Sequence, residues 1–254
     1  MPEHQPVGME ALEKERKIEY VRALLSDIQP DVLIGIFQRI FARSGLPFDE
    51  SKFIYPIEVD VVHMETALAG NFYDGRIMVN AFHVVFEDEG KSRANVLKTY
   101  IHELTHALSK GIPETTGVSQ DGYSVGGAKT GEYVGANEAM TELIQDQVFR
   151  AYLKQSGDRS LLASESGVVR KRLSYPTERK EVLTLIDDAS IHFGIPKADI
   201  LRALIAGYFS NDTEHMVEFF SEVIPEEMNL KEYLVELRES GLLKDAALAL
   251  HVDL

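Results

Sequence analysis

Five consecutive residues carry the most specific chemistry in the chain: His102-Glu103-Leu104-Thr105-His106. On a helix, positions i and i+4 share one face, so both imidazoles can address a single metal ion. Glu103 stands about 100° around the helix from His102. From there it can hold a water at the metal without being a ligand itself. Imidazole is a good zinc ligand, and two of them leave room for a third protein ligand and an open position. Structural zinc sites are usually closed by four protein ligands and have no use for a general base, so the pattern points to catalysis.

A second cluster lies downstream, in Asn137-Glu138-Ala139-Met140-Thr141-Glu142. It starts a helical pattern just after a glycine-rich stretch. Together the HELTH and NEAMTE segments resemble the thermolysin-like gluzincins, zinc metallopeptidases in which a glutamate on the next helix completes the site. The resemblance implies one zinc ion held by His102, His106 and Glu138, with Glu103 as general base. It implies that Glu142 hydrogen-bonds a zinc-binding imidazole, fixing its tautomer, and that Asn137 supports the site from behind the ligands. It covers about residues 50–150. The interval from His106 to Glu138 is longer than in those proteins. The fold implied is α+β and zincin-like: a small, mostly antiparallel sheet, an active-site helix, a glutamate helix and a helical C-terminal subdomain.

The activity implied is peptide-bond hydrolysis, with Glu103 taking a proton from water and passing it to the leaving amine. The oxyanion then needs a second donor, which gluzincins draw from a later Tyr or His. The candidates are Tyr123 and Tyr133 in the glycine-rich stretch, Tyr175 before Pro176, His192 and His215. His192 also suits a capping cation at a helix C-terminus. Zincins bind an extended peptide or protein substrate along an edge strand, and Arg76–Asn80 or Asn80–Phe82 would serve. Two alternatives stay open: a dedicated regulatory protease with one protein partner, or a catalytically silent interaction protein. Histidine and carboxylate ligands also accept divalent ions other than zinc.

Elements must position these groups. Apolar residues from Leu12 to Leu25 recur at helical spacing, and Asp31 is placed to cap a second helix running to about Arg43. Phe53 to Val62 alternates like a strand. Asp74-Gly75 between apolar runs predicts a hairpin, and Ala81 to Phe86 reads as extended, which makes His63 and His83 ordinary strand residues. Val96, Leu97, Tyr100, Ile101, Leu104 and Leu108 form one face of a helix from Ser92 to about Lys110. Residues 111–135 hold seven of the 18 glycines and predict a long loop. Helices follow over about 136–153, through Val182 to Phe193 with Gly194 as stop, and from Ile200 to Tyr208, with shorter ones after. The chain divides into an N-terminal helical segment (1–50), a zincin-like core (51–154) and a helical C-terminal part (169–254).

Composition narrows the function classes. The chain has 254 residues, 44 % hydrophobic, with 26 Lys+Arg against 41 Asp+Glu and a net charge of −15. Such acidity argues against a nucleic-acid partner or docking on an anionic membrane surface. Cysteine is absent, so no thiolate site or disulfide is possible. The first residues lack a basic start followed by an apolar run. A soluble, cytoplasmic chain is expected, with non-classical export left open.

Overall fold

The computed structural model describes residues 7–49, 59–66, 69–73, 76–84, 86, 89–111, 120–122, 124–125, 133–158, 175–225 and 227–239. The fold is α+β and mostly helical, with a small mixed sheet. Two helices come first, α1 (Val7–Ser26) and α2 (Pro30–Arg43). The N-cap of α2 is Gln29, not Asp31: Pro30 takes the first helical position, where its missing N–H is no loss. Asp31 sits in the first turn and Arg43 in the last, each favoured by the helix dipole.

Three strands follow: β1 (Val59–Val62), β2 (Gly70–Tyr73) and β3 (Arg76–Asn80). β2 and β3 form the expected hairpin, with Tyr73 opposite Arg76 across a two-residue connection. The sheet as a whole is not mostly antiparallel. Its order is β1-β3-β2, with β1 parallel to β3. Ile77 and Val79 of β3 are almost fully buried, and the central position pairs the β3 backbone on both sides. Of the predicted strand from Phe53, residues 59–62 form β1 and residues 51–58 lie outside the described ones.

The segment after β3 is not an extended strand. Ala81–His83 forms a 3-10 turn because the Asn80 side chain caps it, accepting from the Phe82 N–H. The same amide also joins the ends of β1 and β3, accepting from Met64 N at 2.9 Å and donating to Met64 O at 2.8 Å.

The main helices are α3 (Glu89–Ser109) and α4 (Val134–Ser156). Between them, two-residue strands β4 (Lys110–Gly111), β5 (Gln120–Asp121) and β6 (Ser124–Val125) form a second, antiparallel sheet inside the predicted loop. α5 (Pro176–Phe193) ends at Gly194, whose φ of 66° suits the left-handed cap predicted there. α6 (Lys197–Ser210), α7 (Thr213–Ser221) and α8 (Leu230–Glu239) complete the described chain. α4 packs on α2, α3, α5 and α6, and α3 packs on β2 and β3. Buried residues from all three sequence segments meet in one apolar cluster. No helix of the described residues is long and apolar enough to cross a membrane.

Candidate metal centre

α3 and α4 run antiparallel along the site. Lys98, His102 and His106 stand one turn apart on α3; Asp146, Glu142 and Glu138 stand one turn apart on α4. Lys98 meets Asp146 at one end, and both histidines meet Glu138 at the other. The two i, i+4 rows therefore face each other like the sides of a ladder, with Glu142 at the middle position.

The inner end brings three ligand atoms together. His102 Nε2 lies 3.2 Å from His106 Nε2, and Glu138 Oε2 lies 3.3 and 3.5 Å from the two. An ion about 2.05 Å from each donor in tetrahedral geometry requires donor–donor edges of about 3.3 Å. The observed triangle matches one face of that tetrahedron, so these three residues can hold a metal ion. Burial alone would push the Glu138 carboxyl up. The hydrogen bonds from His102 and His106, with their electrostatic contribution, outweigh it and bring the pKa down to about 2, so the carboxylate is ionised at neutral pH.

A cleft of ≈370 Å³ reaches one corner of this triangle, His102. His102, Glu103, Glu142 and Tyr175 line it, while His106 and Glu138 are buried outside its lining. Glu103 is itself buried, and strand β2 presses against it. A Cβ on Gly70 would stand 2.6 Å from Thr99 Cγ2 and 2.9 Å from Glu103 Oε1, so only glycine lets the strand approach this closely.

Tyr175 is the N-cap residue of α5 and half-buried. Burial first, then the negative charges of Glu138, Glu142 and Glu103, push its phenol up to about 12. The proton stays on this hydroxyl at neutral pH, so it is a hydrogen-bond donor in the field of the three carboxylates.

The other predicted donors are placed elsewhere. His192 is exposed on α5, stacked edge-on against Phe193. His215 is exposed on α7, its backbone N–H donating to the capping Asp212. Neither lines the cleft. Tyr133 precedes α4 in the left-handed region (φ 59°), and its carbonyl accepts from Asn137 N. Tyr123 lies outside the described residues. The expected edge strand is also displaced. Arg76–Asn80 is the sheet's centre, paired on both sides, and the Asn80 amide is engaged with Met64. β2 is the edge strand bordering the cleft, through Ala69 and Gly70.

Several site residues escaped the sequence reading. His83, Lys98 and Gln145 line the cleft. Tyr208 of α6 is fully buried beneath the ligands. Its hydroxyl lies 2.7 Å from Thr141 Oγ1 and accepts from Ser109 Oγ at 3.4 Å. Thr141 gives its proton to the Asn137 carbonyl, so the phenol donates to Thr141 Oγ1, and the single Ser109 hydroxyl proton is shared between the phenol and the His106 carbonyl; one phenol thus bridges the candidate-ligand turns of α3 and α4. Asn137 is buried beside it, and both crowd Gly122, where a Cβ would fall 2.3 Å from Asn137 Oδ1 and from the Tyr208 ring. Comparison with known protein families, curated proteins and solved structures finds no match to this chain.

Proposed function

We propose that the chain is a zinc-dependent metallopeptidase of the gluzincin type, hydrolysing peptide bonds of a peptide or protein substrate. The observation that carries this reading is the tetrahedral face made by His102, His106 and Glu138, with Glu103 in the adjoining cleft. Two imidazoles and a carboxylate suit zinc, which when bound supplies Lewis acidity and lowers the pKa of a water.

The chain's own residues divide the remaining work. Glu103 is the general base: its carboxylate accepts a proton from the attacking water and returns it to the leaving amine nitrogen. Burial against Gly70 fixes its orientation. Tyr175 donates its phenolic O–H to the developing oxyanion. Glu142 lies one turn from Glu138 in the cleft lining, and its negative charge acts on Tyr175. Strand β2 offers an extended substrate segment an edge to pair with.

Elemental analysis of protein purified without chelator, together with turnover of a quenched-fluorescent peptide library, tests the reading. One zinc per chain and cleavage abolished by Glu103→Gln is the expected result. A chain that neither holds nor takes up zinc, or a zinc-loaded chain that cleaves no peptide, overturns it.

A further inference from the structure

The third position of the α3–α4 ladder lies one turn from the metal triad and has an uneven charge balance. Lys98 Nζ lies 3.5 Å from Asp146 Oδ1, and Arg179 Nη1 of α5 lies 2.6 Å from Asp146 Oδ2. One carboxylate thus serves two cations, and its closer partner is the arginine. Lys98 is the only lysine or arginine among the described residues lining the cleft, and its side chain is 12 % exposed. Its ammonium sits 5.0 Å from the centroid of the Phe149 ring, which supports the stem and cannot accept a conventional hydrogen bond. The same cleft is lined by Asn95, Thr99, His83 and Gln145, and the buried His83 Nε2 has no hydrogen-bond partner among the described residues. The acidic groups of the cleft, Glu103 and Glu142, stand one turn nearer the triad.

We propose that Lys98 is the anchor of a carboxylate-binding subsite, so that the preferred substrates carry an acidic group close to the scissile bond. That these ligands are substrates rests on the peptidase reading; the binding of a carboxylate by Lys98 does not. One helical turn is about 5.4 Å, and an extended peptide advances about 3.3 Å per residue. The carboxylate therefore belongs one or two residues from the bond that is cut. An acidic side chain and a free C-terminus supply the same chemistry there, and a charge-assisted hydrogen bond to a partly buried ammonium discriminates strongly against the neutral amide.

The test uses full-length, zinc-loaded Glu103→Gln protein and fluorescent peptides in matched pairs. One pair type sets Glu against Gln at a side-chain position; the other sets a C-terminal acid against an amide. Binding is read by anisotropy. The acid member of at least one pair type should bind about tenfold or more tightly, and which type does so identifies the source of the carboxylate. Adding Lys98→Met should bring acid and amide within twofold, while Lys98→Arg retains the preference. Equal binding of both members, a preference that survives Lys98→Met, or no binding of any peptide overturns the subsite. Wild-type turnover separates the two proposals. Cleavage without acid preference removes the subsite alone, and acid-selective binding without cleavage removes the peptidase reading alone.

Discussion

The two ends of the α3–α4 pair are built on different principles. At the inner end, His106 and Glu138 are buried, and their helices are tied through Ser109, Tyr208 and Thr141. Polar groups there are satisfied by one another, so ligand positions are set by packing. At the cleft end, His83, Lys98, Gln145 and Tyr175 line an open cleft, and Asp146 is divided between two cations. There the buried His83 Nε2 has no hydrogen-bond partner among the described residues. On the proposed reading, one pair of helices would hold the three candidate ligands beside a substrate-binding surface: a cross-helix hydroxyl network links one end, and a cleft opens at the other.

The largest effect should come from breaking the inner end. Glu138→Ala removes one of three ligands and should weaken metal binding by more than about a hundredfold. Metal content after dialysis should fall from one ion per chain to almost none. Glu103→Gln acts on the other side of the division. It should leave metal content unchanged while lowering kcat by about 10²–10⁴-fold. Loss of metal in Glu103→Gln would show that the two ends are not separable. Tyr175→Phe should have a smaller effect, about a hundredfold in kcat with KM and metal content held. A drop in KM-dependent binding instead would assign Tyr175 to substrate contact rather than to the oxyanion.

Sequence spacing made part of this visible. The i, i+4 rows His102/His106 and Glu138/Glu142 are local, so helical geometry alone puts each pair on one face. That the two rows extend to Lys98 and Asp146, and face each other antiparallel, depends on how the chain returns after more than twenty intervening residues. No periodicity carries that information. The central place of β3 is hidden for the same reason. Its alternation marks a strand but not a central one, and the pairing with β1 is long-range. His83 followed a strand pattern, and the Asn80 cap turned the backbone into a 3-10 turn that leaves its side chain at the cleft. Tyr208 fell in the apolar series from Ile200, which located its helix and its buried face correctly. Its hydroxyl has partners 67 and 99 residues away, which a helical pattern cannot reveal.

That hydroxyl gives the subtlest way to sharpen the comparison. Tyr208→Phe keeps the ring, which fills the space beside Gly122, and removes only the oxygen shared by Ser109 and Thr141. Both hydroxyls keep their bonds to the His106 and Asn137 carbonyls, so neither is stranded without a partner. The expected cost is about 1–2 kcal/mol, read as a fall in Tm of a few degrees in the metal-free chain. If the inner end is rigid because of this link, zinc affinity should weaken by a few-fold as well, since α3 and α4 then hold the triangle less firmly. The preference between peptide pairs at the cleft should not move. A Tm that falls while zinc affinity stays constant would mean that the surrounding apolar packing, rather than the shared phenol, sets the ligand geometry.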